Sequence, residues 1–140
     1  MINLMRITIQ KDKTIGELQK EFNDHFPYLR IMFFSKPHQV GKGTERKYMK
    51  DANVTLETCR IKNNGSPIEF DQSTTVVELE EKFAKEFDLF IQVFRRSGNL
   101  WLETTATDNW SLHHQNEQGR ELSGSDWRTK DDVSDYHEQE

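Results

Sequence analysis

Five cations crowd one stretch of the chain, Lys36, Lys42, Arg46, Lys47 and Lys50, and Glu45 alone opposes them. Side chains of that kind at that density attract phosphates and other anions. The run Val40-Gly-Lys-Gly-Thr44 inside the stretch invites comparison with a nucleotide-binding loop. Spacing rejects that comparison: the loop needs a glycine five residues before Gly41, where Lys36 stands, and a capped helix after the threonine. The stretch therefore reads as a loop or long hairpin with a short strand at 46–49. Anion or nucleic-acid binding through its cations is the alternative function.

Other chemistry is sparse. His113 and His114 are adjacent, so a helix would point them about 100° apart, and no third metal ligand is evident. Cys59 has no histidine close in sequence to activate it as a nucleophile. No carboxylate stands in an apolar or glycine-bounded context that would raise its pKa. The expectation is a non-enzymatic protein without cofactor, metal or small-molecule substrate.

These side chains must be carried by elements, and the elements recur. From Ile7 to Phe26 and from Ile68 to Phe87, six of twenty aligned positions are identical at an offset of 61 residues. The matches are Ile7/Ile68, Thr14/Thr75, Glu17/Glu78, Leu18/Leu79, Phe22/Phe83 and Phe26/Phe87. Threonine with glutamate three residues later predicts a capping box at the start of each helix. Ile15, Leu18, Phe22 and Phe26, like Val76, Leu79, Phe83 and Phe87, then mark one apolar stripe.

Each helix lies between strands read from alternation. Ile7 and Ile9 precede the first helix and Leu29, Ile31 and Phe33 follow it; Ile68 and Phe70 precede the second, and Leu89, Ile91 and Val93 follow. Ser97-Gly-Asn99 predicts a hairpin into a strand at 100–103. Each unit closes with Asn, an apolar residue, Ser or Thr, and Leu: Asn53-Val-Thr-Leu56 and Asn109-Trp-Ser-Leu112, read as short capping helices.

This pattern, Thr-x-x-Glu-Leu-x-x-x-Phe-x-x-x-Phe with a strand and a closing Thr/Ser-Leu segment, present twice, is similar to a group of small bacterial proteins without assigned activity. The resemblance covers residues 7–115. It implies a compact duplicated α+β domain and brings no catalytic residues. The order within one unit also resembles part of a ubiquitin-type β-grasp, on topology more than on residues.

The expected fold is α+β, with duplicated β-α-β units forming a single sheet and both helices on one face, a ferredoxin-like split βαβ. Tandem or interlocked β-grasp units are the alternative. A single domain should span 1–118, with repeat one at about 4–60 and repeat two at about 66–117. Residues 119–140 read as an acidic, flexible tail: they hold three basic and seven acidic residues, most of the formal charge of −5.

Strand parity leaves Tyr28, Met32, Phe34, Phe90, Phe94 and Trp101 on the sheet face away from the helices. An exposed apolar patch of that size is expected to bind a protein partner or a second copy of the chain. RNA recognition through the same face is disfavoured. Its aromatics would have to stand on the central strands, where Arg6, Thr8, Glu69 and Asp71 point outward. The single cysteine fits a reducing compartment, and no apolar run approaches a membrane span. A cytoplasmic, bacterial interaction module without membrane attachment is the resulting expectation.

Overall fold

A computed structural model describes residues 3–37, 46–123 and 136–137. Both capping boxes form. Thr14 Oγ1 accepts the Glu17 N–H at 3.1 Å and the Glu17 carboxylate takes the Thr14 N–H at 3.0 Å. Thr75 and Glu78 repeat this at 3.2 and 2.8 Å. Helix α1 (Ile15–His25) and helix α2 (Val76–Phe87) follow directly. Pro27 cannot continue α1, whereas α2 stops as Asp88 turns left-handed at φ 56°.

A capping box leaves other first-turn N–H groups without partners, and the closing segments supply them. Ile15 and Gly16 donate to the carbonyls of Val54 and Ala52 at 2.9 and 2.7 Å. Val76 and Val77 donate to Trp110 and Asp108 at 3.1 and 2.8 Å. Leu56 and Leu112 anchor these clamps, each wholly buried in the core. After Leu56 the chain makes only a 3-10 turn, Leu56–Cys59, and reverses at Arg60 (φ 55°).

After the second clamp, helix α3 (Leu112–Ser123) runs three turns instead of one. The expected domain limit at 118 therefore falls inside a helix. Gly119 explains how α3 gets close enough to dock: a Cβ there would sit 2.8 Å from Tyr28 Cβ and 3.2 Å from the Arg96 carbonyl. Asn116 Oδ1 accepts the Tyr28 N–H at 2.8 Å, and Arg95 donates to Gln115 Oε1 at 2.6 Å. The tail expected from 119 onward is thus helical to Ser123, and Tyr136–His137 is a short strand.

The strands are β1 (Met5–Thr8), β2 (Leu29–Phe34), β3 (Pro67–Phe70), β4 (Phe90–Ser97), β5 (Leu100–Glu103) and β6 (Tyr136–His137). The fold is α+β, but the strands form two sheets rather than the single ferredoxin-like sheet expected. β1 pairs only with β3, while the second sheet has the order β2-β4-β5-β6. Each strand–helix–strand unit therefore contributes one strand to each sheet. Antiparallel pairing brings Ile7 opposite Ile68 and Met32 opposite Gln92.

A ferredoxin-like sheet needs β3 beside β2, and two features prevent this. The chain leaving β2 is committed to the α1 clamp, and the outer edge of β2 already has partners. Its Leu29 carbonyl accepts from Asn23 at 2.8 Å, Ile31 from Gln19 at 2.9 Å, and Phe33 from the Lys50 N–H at 2.8 Å. Residues 46–49, expected to hold a short strand, instead form a 3-10 turn at Arg46–Tyr48, with Met49 bridging Phe34.

Both helix stripes and the predicted strand faces, Ile7 to Val93, merge into one buried cluster. No helix among the described residues is long and apolar enough to cross a membrane.

Candidate functional site

The expected aromatic binding face is not an open patch. Tyr28, Met32, Phe34, Phe94 and Trp101 are at most 7% exposed and form a second apolar cluster, against which Tyr48 and Met49 pack. They form a cluster separate from the one that holds the α1 and α2 stripes, and Tyr48 and Met49 cover part of it. The guanidinium groups of Arg30 and Arg96 lie 4.5 and 5.3 Å from the Trp101 ring centre. Only Phe90, the sixth residue, remains half-buried.

The basic stretch is partly described. Lys36 and Lys47 approach the Tyr48 ring at 4.5 and 5.3 Å, and Lys36 Nζ lies 3.4 Å from the Tyr48 hydroxyl. Arg46 is exposed beside them. Lys50 instead lines a cavity with Thr58, Cys59, Arg60 and Asp88, so it does not join that group. Lys42 and the Val40–Thr44 run lie outside the described residues. His114 stacks on Trp110 with ring centres 4.2 Å apart, and His25 meets the edge of Phe70 at 6.0 Å. Among the described residues no three His, Cys, Asp or Glu side chains gather closely enough to hold a metal ion.

Phe90 leads to the site that remains. With Ile91 and Pro37 it forms one side of an apolar groove of about 120 Å³, whose other side is α2 through Val77, Glu80, Glu81 and Ala84. Positions 77, 80, 81 and 84 form a flank of α2 next to its core stripe. The capped start and the burial of Val76, Leu79 and Phe83 hold that flank toward β4.

Why the groove exists follows from the counterpart flank of α1. At the 61-residue offset, Gln19 and Asn23 correspond to Glu80 and Ala84. In the first unit both amides reach down and donate to the edge carbonyls of β2. In the second unit a carboxylate and a methyl group stand in their places, and neither can donate to β4. On that edge the Val93 carbonyl accepts from the Thr104 N–H at 3.2 Å and the Thr104 hydroxyl at 2.8 Å, the last such partner of β4 among the described residues.

Apart from Phe90, sequence reasoning missed every lining residue, because it searched strand faces instead of comparing helix flanks. The exchange of two amides for Glu80 and Ala84 was the available signal. Arg95, Gln115 and Gly119, which dock α3, carried no comparable signal. Comparison of the chain with protein-family models, with curated proteins and with solved structures found no match.

Proposed function

We propose that this chain is a non-enzymatic interaction module that binds a protein partner in the groove between α2 and β4. The observation that carries the reading is the replacement of Gln19 and Asn23 by Glu80 and Ala84, beside which an apolar groove lies between α2 and β4. Apolar surface gathered in a groove is a common mark of a protein-binding site. Phe90 keeps its place in the reading, now as a groove wall. A cytoplasmic setting belongs to the same proposal, supported by the single, unbridged Cys59.

The test restores the first unit's chemistry in the second. Random peptides displayed on phage would be selected on the immobilised full chain and counter-selected on the double variant Glu80→Gln/Ala84→Asn. Peptides should be retained by the wild type and lost on the variant. Equal enrichment on both proteins would sink the groove as the binding site.

A second reading keeps an anionic partner for the basic stretch, favoured by the convergence of Lys36 and Lys47 on Tyr48. It predicts a gel shift of single-stranded RNA at low salt that weakens steeply as salt rises. No shift at low salt, or one indifferent to salt, eliminates it.

A further inference from the structure

We propose that the cavity lined by Lys50, Arg60 and Asp88 binds a small zwitterion of the α-amino-acid type. The two cations hold its carboxylate and Asp88 holds its ammonium group. The cavity, of about 120 Å³, lies where the end of β2, the return at Lys50, the turn after Leu56 and the start of β4 meet. Backbone bonds fix each wall. The Lys50 N–H donates to the Phe33 carbonyl at 2.8 Å, Arg60 to Glu57 at 3.0 Å and Asp88 to Ala84 at 3.1 Å. Lys62 donates to Phe87 at 3.4 Å and the Asn63 side chain to the Glu86 carbonyl at 2.6 Å, which ties the Arg60 wall to the end of α2. Arg60 and Asp88 both stand in the left-handed conformation, at φ 55° and 56°. The fold therefore brings the three charges together without any bond between them. None of the three side chains makes a hydrogen bond or ion pair with a described residue.

Size and charge select the ligand. A cavity of about 150 Å³ holds benzene, so 120 Å³ suits a molecule of about five or six heavy atoms. Lys50 and Arg60 outweigh Asp88, so the cavity attracts an anionic group. The planar guanidinium of Arg60 matches a carboxylate, which can accept two parallel N–H bonds from it. Asp88 repels a second negative charge and so disfavours phosphate and dicarboxylates, whereas it attracts an ammonium group on the same molecule. Half-buried Phe90 adds an apolar wall suited to a short aliphatic substituent. A few placed polar groups beside an apolar wall are the usual make-up of a small-molecule site. The site stands independently of the groove between α2 and β4.

The probe is L-alanine, titrated into the isotope-labelled full chain beside propionate, which lacks the ammonium group, and inorganic phosphate. Alanine should shift the amide resonances of Lys50, Arg60 and Asp88. It should also slow alkylation of Cys59, the single cysteine, which lines the same cavity. Arg60→Asn should weaken alanine binding by about tenfold, the loss of one charge-assisted bond. Asparagine is at ease in the left-handed conformation, so this variant and Asp88→Asn keep the backbone of the walls. Asp88→Asn should weaken alanine and strengthen propionate, reversing the wild-type preference. Propionate or phosphate binding the wild type as tightly as alanine would overturn the zwitterion assignment. Silence of the three amides with alanine, or equal alanine affinity in the wild type and both folded variants, would overturn the site itself.

Discussion

The outer edge of β2 and the outer edge of β4 begin from the same local plan and end in opposite states. Each follows a capped helix with an equivalent apolar stripe, and each presents its carbonyls alternately to the sheet's interior and its rim. The β2 edge is satisfied by Asn23, Gln19 and the Lys50 amide. On the β4 edge the run of described partners stops at Val93, and beyond it lies the groove beside Glu80 and Ala84. The core stripes match in kind, so core packing cannot be the cause. Two side chains on the helix flank decide whether the edge carbonyls are bonded by their own helix.

Mutations in the two units can break or sharpen this comparison. The largest effect is expected at the clamps. Leu56→Ala and Leu112→Ala each empty a fully buried site and should cost about 2–5 kcal/mol in urea unfolding. A cost near zero for either would mean that its clamp does not support the helix start as its counterpart does. Next come the flanks. Gln19→Ala and Asn23→Ala each strip a part-buried carbonyl of its donor and should cost about 1–3 kcal/mol. Glu80→Ala removes no donor from a β4 carbonyl and should cost less than either change in α1. Equal losses in the two units would end the argument that only one edge is closed.

The caps should show less asymmetry. Thr14→Ala and Thr75→Ala should each lower stability by about 1 kcal/mol, because the two capping boxes have nearly the same geometry. The smallest effect is with pH. Hydrogen bonds from the Thr14 backbone and side chain hold the Glu17 carboxyl below its ordinary pKa. The Ser73 hydroxyl and N–H do the same for Asp71. A carboxylate whose pKa is lower in the folded chain contributes stability that is complete above its unfolded pKa. That contribution fades as the pH falls through the lowered folded value. Unfolding midpoints should therefore decline between about pH 5 and about pH 2, and less steeply in Glu17→Gln. A Glu17→Gln profile as steep as the wild type's would detach Glu17 from the effect.

Much of the fold was legible because it rests on local chemistry. Thr14 and Thr75 announced their helices, Pro27 announced an end, and alternation gave the buried faces of β2 and β4 residue by residue. The closing Leu56 and Leu112 segments were legible as a repeated pattern, though not as partners for helix N–H groups. Sheet membership was not legible. Which strand meets which depends on the path between them, and residues 46–56 hold no local signal that they will bond the β2 edge and clamp α1. The burial of Trp101 and Phe94 failed for a related reason, since parity tells which way a side chain points and not what arrives there. The length of α3 was hidden because its support is a single close approach at Gly119, distant in sequence from Tyr28 and Arg96.

By itself, then, the sequence determined two capped strand–helix–strand units and the stripes that bury them, because caps, periodicity and turn residues act over a few positions. It also contained the basic stretch and the exchange of Gln19 and Asn23 for Glu80 and Ala84. Only the tertiary structure decided what those features mean. It covered the aromatic face, drew Lys36 and Lys47 onto Tyr48, and set a helix flank against a strand edge. An edge hydrogen bond joins residues whose distance apart is settled by packing, so the bond from Gln19 to the Ile31 carbonyl, and the lack of one to Ile91 from the described residues, became visible only once both helices lay on the sheet.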